Sequence, residues 1–480
     1  MEFESRPTKG AIAWAAALGV ASVVTPIGSS HAAPALEKET VPSKATAPLT
    51  SKQHRLDDRQ LDEPATRSLE AQNASAEELQ FSASPDDEPD IEIDTAQIEP
   101  EPIFVTDEDE LDDLEPGFAI LDVTGGNSRE KRWFAGLEMG IVSDDASAIT
   151  LQIEGGERNL GYEIGYTRDA IAGPGGRDGF RVSFFDRRHP NRVFLSDAGD
   201  DLEEVFLPVG DEQVPWVHRM GGSFRYYIAP SETLTLIPAI TYQRVSVRNR
   251  AVTDNVYPRD ENGNRLVFGD DGKEDLLTVS FAAVQDAATL ENDLWEVRGS
   301  RFQFRTEQAI PVGEENIAFH RLSGFYSQFI PFGLFGFDDG PRTLALNLQA
   351  GTFIGEAPPY EAFALGGSSS VRGYRTGDVG AGHRFVQATA EYRFPIITSG
   401  DGTDFFEQVR GVLFVDYASD LGSGDEVRGE PAEVRDKDGS GLGFGLGLRI
   451  TAPFLEVVRL DFGITDEGNS RLTFGVGERF

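Results

Sequence analysis

From Arg132 to Phe480 the sequence is written in runs of about ten residues in which apolar and polar side chains alternate, separated by polar, Gly- or Asp-rich breaks. A period of two puts successive side chains on opposite faces of a strand. In TLALNLQAGT, Leu344, Leu346, Leu348 and Ala350 share one face, and Thr343, Asn347 and Gln349 the other. In GLGFGLGLRI, Leu442, Phe444, Leu446, Leu448 and Ile450 oppose Gly441, Gly443, Gly445, Gly447 and Arg449. SRFQFRTE sets Phe302 and Phe304 against Gln303 and Arg305, and VVRLDFGI sets Val458, Leu460, Phe462 and Ile464 against Arg459, Asp461 and Gly463. A soluble sandwich also alternates. Here, however, the polar faces hold glycine and long charged side chains, and the strands follow one another for about 350 residues with no helical period between them. One sheet closed on itself, with lipid outside and a wet interior, accounts for both, because lipid offers no partner to an open edge. The expected fold is all-β: a transmembrane antiparallel β-barrel over residues 116–480. About fifteen strands can be counted. Single-chain bacterial barrels usually have an even number, so sixteen are expected, with the unread one near residues 116–160 or 190–210.

Composition agrees. Gly (52) and Phe (33) are both abundant, as small residues inside a barrel and aromatics outside it require. No run of 18 apolar residues follows the N-terminus, so no spanning helix is expected in the mature chain. The N-terminus reads as an export signal: Lys9 precedes an apolar run from Ala11 to Val24, and small residues surround Ala32. Cleavage after Ala32 or Ala33 is expected, which makes residues 1–33 a signal peptide and places the rest beyond the inner membrane. Residues 34–115 are low in hydrophobicity. The stretch FSASPDDEPDIEIDTAQIEPEPIFVTDEDELDDLEP contains no Lys or Arg, so this segment is expected to be acidic and disordered. A net charge of −38 argues against a nucleic-acid partner, which needs a basic face. With no Cys there is no disulfide, thiolate site or Cys nucleophile.

Two stretches go beyond the wall pattern. LGGSSSVRGYRTGDVGAGHRFVQATAEYRFPI, Leu365 to Ile396, runs from a flexible Gly/Ser loop through Val371-Arg372-Gly373-Tyr374 into an alternating strand. On that strand Glu391 shares the inward face with Gln387, Thr389 and Arg393. The last strand, RLTFGVGERF, carries Leu472, Phe474, Val476 and Phe480 on one face. Its terminal aromatic looks like the C-terminal signal of outer-membrane barrels.

These residues resemble the BamA/TamA-type outer-membrane assembly barrels, the bacterial surface antigen family, whose relatives include two-partner-secretion transporters and chloroplast outer-envelope pores. The V-R-G-[FY] hallmark stands at 371–374. AEYRFP (390–395), FVDYA (414–418, with Ala418 where the family usually has Gly), VVRLDFGI (457–464) and FGVGERF (474–480) follow in the family's order. The wording is most similar to the cyanobacterial branch. The resemblance implies that the loop folds back into the lumen and that Asp416 faces inward. Arg372 would then bridge Glu391 and Asp416, a task that suits a planar guanidinium better than an ammonium. Gly373 would let the backbone pass the wall, and Tyr374 would pack on lumen side chains. It also implies a role in inserting or assembling outer-membrane proteins, or in translocating protein. The seam would lie between a first strand near Trp133 and a last strand near Leu472. The implied partners are outer-membrane lipid, unfolded outer-membrane protein clients and assembly-complex lipoproteins. Family members usually carry POTRA modules, βααββ units that dock clients by strand addition. The segment before the barrel has no helical periodicity, so POTRA modules are expected to be absent, with FAILDVTGG as a remnant of one. The alternative is a passive outer-membrane pore or solute channel with the loop as a plug.

Enzyme chemistry is not expected. The six histidines, His31, His54, His189, His218, His320 and His383, are scattered, and GGSSSV lacks the closing Gly of a nucleophile elbow. DENGNRLVFGDDGKED and DKDGSG do not follow EF-hand spacing, so no metal and no cofactor are expected.

Overall fold

The computed structural model describes residues 117–476 and 479, except 129–131, 144–146, 169–177, 195–205, 210–213, 292–295, 399–407, 428–436 and 453–454. The expected signal peptide, the acidic segment and Phe480 therefore lie outside the described residues.

The described residues are mostly strands. They are β1 (Gly117–Ser128), β2 (Arg132–Val142), β3 (Ser147–Gly156), β4 (Leu160–Arg168), β5 (Gly179–Pro190), β6 (Trp216–Ser231), β7 (Leu234–Arg248), β8 (Lys273–Asp286), β9 (Thr289–Glu291), β10 (Glu296–Ile310), β11 (Ala318–Pro331), β12 (Thr343–Glu356), β13 (Phe363–Leu365), β14 (Gly380–Gly382), β15 (Arg384–Ile397), β16 (Gln408–Ser419), β17 (Ser440–Ala452), β18 (Leu455–Thr465) and β19 (Ser470–Val476). Seventeen of them make one sheet, and β13 and β14 pair separately inside the β12–β15 connection. Strands β8 and β9 both pair antiparallel with β10, one after the other. The break between them is a close approach: a Cβ on Gly299, which has φ +101°, would lie 2.1 Å from the Ala287 carbonyl oxygen. The two segments therefore form one stave, and among the described residues the wall is sixteen strands wide. The first stave differs from expectation. FAILDVTGG pairs with β2 from Gly117↔Val142 to Ser128↔Arg132, so it is a barrel strand rather than a module remnant, and Trp133 sits on the second strand. It was hard to read because its apolar residues break alternation at a register shift between Ile120 and Asp122.

Burial is inverted relative to a soluble protein. Along β4, Leu160, Tyr162, Ile164 and Tyr166 are exposed while Gly161, Glu163, Gly165 and Thr167 are buried. Along β17, Phe444 and Leu446 are 44% and 57% exposed, whereas Gly443, Gly447 and Arg449 are buried. An apolar outer belt around a charged interior fits a wall standing in lipid. Among the described residues no helix is long and apolar enough to cross a membrane.

Strand direction alternates, so connections fall on two rims. The long ones, 191–215, 249–272, 357–383 and 420–439, share one rim. The start of β1, the end of β19 and the connections 232–233, 332–342, 398–407 and 453–454 share the other. An internal core sits toward the long-loop rim, where Val193, Phe194, Val217, Val245, Leu266 and Tyr360 cluster.

Candidate functional site

Residues 357–383 leave β12, cross the interior and return as β15. At the near end Glu361 accepts from Arg219 of β6 (2.6 Å) and Arg321 of β11 (3.0 Å). Its neighbour Tyr360 donates to Glu274 at the start of β8 (2.6 Å). At the far end Arg372 is 1% exposed and uses most of its donors. Nε and Nη2 donate to the two oxygens of Asp416 on β16, at 2.7 and 3.0 Å, and the backbone N–H adds a third bond to Asp416 at 3.2 Å. Nη1 donates to Glu391 on β15 at 2.8 Å and lies 3.5 Å from Asp461 on β18. The guanidinium carbon stands 3.4 Å from the centre of the Phe414 ring, a cation–π contact that closes its remaining face. One loop residue thus ties three strands, and an ammonium could not reproduce the fork.

The acids are shared with further arginines. Glu391 also accepts from Arg393 (2.8 Å) and Arg449 (3.3 Å), and Arg449 donates to Asp461 (2.7 Å). Asp416 also accepts from Thr389 (2.9 Å) and from Arg479, beyond β19 (2.9 Å). Arg479 reaches on to the Ser370 carbonyl, so the segment after the last strand holds the loop too. Buried charges need such pairing, because each otherwise carries its full desolvation cost.

The loop tip lies close to a wall that has no side chains in its way. Gly373 has φ +102°, a region that favours glycine. A Cβ on Gly443 of β17 would fall 2.0 Å from the Arg372 carbonyl oxygen, and one on Gly463 of β18 would fall 2.5 Å from the Gly373 nitrogen. The inward glycines of GLGFGLGL are therefore the floor on which the tip rests. Tyr374 packs over Gly441 and donates to Asp466 at 2.6 Å. Burial, then that bond, push the Tyr374 phenol up, so it stays a neutral donor. Val371 is fully buried among Leu365, Val379 and Phe385. His383 is 5.6 Å from the Phe353 ring centre, and its carbonyl accepts from the Phe353 N–H. Burial pulls its imidazole below the ordinary range. Among the described residues no group of three His, Cys, Asp or Glu could hold a metal ion.

Residues 145–480 match the model of the Omp85 superfamily domain. The chain belongs to the Omp85 superfamily. Among curated Omp85-type relatives, "Outer envelope protein 80, chloroplastic" of Arabidopsis thaliana is 36% identical over 230 residues, 46% of this chain and 28% of that protein. "Protein TOC75, chloroplastic" of Pisum sativum is 28% identical over 393 residues, 76% of this chain and 43% of that protein. The chain spans less than half the length of either. BamA from Haemophilus ducreyi lacking POTRA domains 1–3 superposes with a TM-score of 0.53 at 13% identity, over 75% of this chain and 70% of that one, a likeness of fold. The fold is thus an outer-membrane β-barrel of the Omp85 type with its motif loop inside.

Within this Omp85 barrel the structure brings Val371, Arg372, Gly373 and Tyr374 together with Glu391 and Asp416. Of the residues read as a C-terminal signal, Leu472 and Phe474 lie on β19 and Val476 ends it, with Leu472 exposed to the outside. Phe480 lies outside the described residues. The sequence did not join Asp461, Arg449 and Arg393 to Glu391 and Arg372, and it gave no sign of Arg479 or of the Glu361 end. Parity alone places Asp461 and Arg449 on inward faces, but only register shows that Arg449 bridges Asp461 and Glu391.

Proposed function

We propose that this Omp85 chain moves polypeptide into or across the outer membrane, with the β1–β19 seam as its lateral exit and the lumen loop as a releasable latch. The observation that carries the reading is where the latch grips. Through Arg372 and its acids, the loop fastens β15, β16, β17, β18 and the segment after β19, the strands that lead up to the seam. Letting go of the loop would loosen that flank of the seam first. Among the described residues β19 has seven, against fourteen residue pairs between β11 and β12, so it is a short strand for β1 to meet. Ion pairs suit a latch, since water or a passing chain can replace their partners, which a packed apolar plug would not allow. The partners in this reading are outer-membrane lipid, unfolded client barrels and assembly-complex lipoproteins, with export through a cleaved segment at residues 1–33.

The test is insertion of an unfolded outer-membrane protein into lipid vesicles with and without the reconstituted chain, read as protease-protected, heat-modifiable client. Faster insertion supports the reading. A client rate equal to that of empty vesicles, together with a steady ohmic conductance in a planar bilayer, would replace it with a passive pore.

A further inference from the structure

The β11–β12 connection, residues 332–342, carries an apolar display that the latch does not use. Phe332, Leu334, Phe335 and Phe337 are all exposed, Leu334 at 64% and Phe337 at 77%, although they belong to a connection rather than a strand. The segment is held in one shape. Tyr392 donates to the Phe335 carbonyl (2.7 Å), and its hydroxyl accepts from the N–H groups of Leu334 (3.1 Å) and Phe335 (3.0 Å). The Phe337 N–H bonds the Pro395 carbonyl (2.9 Å), and Arg342 donates to the carbonyls of Phe335, Asp338 and Gly340. Asp338 accepts from the backbone and hydroxyl of Thr398.

The side of the wall decides what the display meets. Glu391 and Arg393 point into the barrel, so Tyr392 and Phe394, between and beyond them on β15, point out. The connection folds over that outward face: Phe335 lies 5.2 Å from the Tyr392 ring and 4.6 Å from the Phe394 ring, and Phe337 lies 5.9 Å from Phe394. The patch continues into the exposed Ile330 and Ile397 at the adjoining strand ends. Its charged members, Asp338, Asp339 and Arg342, occupy the later half of the connection. Four side chains at these exposures present on the order of 400 Å². That is about half of the roughly 800 Å² that a stable protein interface takes from one partner.

We propose that residues 332–337 are a membrane-interface wedge. Folded over the lipid-facing wall at the rim that holds the start of β1 and the end of β19, they enter the headgroup–acyl boundary of that leaflet. Phenylalanine and leucine on a rigid support bind there through buried apolar area while adjoining charges stay in water. Because the wedge is pinned through Tyr392, between Glu391 and Arg393, lipid grips the outer face of the strand whose inner face holds the latch. The proposal rests on the barrel fold and stands whether or not the chain moves polypeptide.

The absence of Cys makes the test direct. Phe337→Cys and, separately, Leu334→Cys are introduced into the full chain, labelled with an environment-sensitive fluorophore and reconstituted into phosphatidylcholine vesicles. Heat-modifiable migration verifies the fold, and Glu314→Cys, exposed on the opposite rim, is the control. Both wedge labels should shift to the blue and be quenched several-fold more by lipids spin-labelled near the headgroup than by aqueous iodide, with the Glu314 label showing the reverse. Wedge labels open to iodide and untouched by the lipid quenchers overturn the proposal. Labels shielded from both quenchers also overturn it, because a second copy or another protein segment then covers the patch.

Discussion

Asp416→Ala should cost more stability than Arg372→Ala, although both break the same ion pair. Among the described residues seven charges form the latch, none with a side chain more than 4% exposed: Arg372, Arg393, Arg449 and Arg479 against Glu391, Asp416 and Asp461. These seven together carry one excess positive charge. Removing Arg372 leaves three cations facing three anions. Asp416 keeps Arg479 and Thr389, Glu391 keeps Arg393 and Arg449, and Asp461 keeps Arg449. Removing Asp416 leaves four cations facing two anions and takes one acceptor from Arg372 and Arg479 together. Breaking a buried pair from one side costs about 3–5 kcal/mol. Arg372→Ala belongs at about 3 kcal/mol, and Asp416→Ala at about 5 kcal/mol by the same range. The gap of about 2 kcal/mol is roughly a thirtyfold difference in the folded-to-unfolded ratio. The assay is urea unfolding of the refolded barrel in detergent micelles, followed by heat-modifiable migration. An Asp416→Ala midpoint equal to or above that of Arg372→Ala would refute the charge-count reasoning.

Gly443→Ala should displace the loop tip, since its Cβ meets the Arg372 carbonyl at 2.0 Å. Limited proteolysis should cut residues 365–380 faster, and unchanged cleavage would count against the glycine floor. Glu361→Gln weakens the end held by Arg219 and Arg321 while Arg372 stays engaged, so stability should fall by about 1–3 kcal/mol. Single-channel recordings should show more frequent open bursts than wild type. Leu446→Arg, on the outward face of β17, should destabilise the barrel in lipid by about 2–4 kcal/mol at mid-depth, and by less toward the rims. Vesicle unfolding experiments can place it on that scale.

The wall was legible because period-two alternation is a local property: the outward Leu442–Ile450 series and its glycine counterface follow from ten consecutive residues. Arg372, Glu391 and Asp416 were legible as a set through motif resemblance, with the inward direction of Glu391 given by parity. The Asp461–Arg449–Glu391 links were not, because they require β15, β17 and β18 to be staggered correctly around a curved wall, which pattern alone does not fix. Glu361 was missed for a similar reason. Its arginines lie about 140 residues upstream on β6 and 40 residues upstream on β11. The first strand hid behind its register shift, and IPFGLFGFDDGP lies between two strands with no alternation or motif of its own to mark it.

An even count of staves has a topographic consequence. Strand one begins and strand sixteen finishes at the same rim, so reporters placed at Gly117 or at Val476 should always agree on their compartment. An epitope placed within 249–272 must report the opposite one, whatever the barrel's orientation in the membrane.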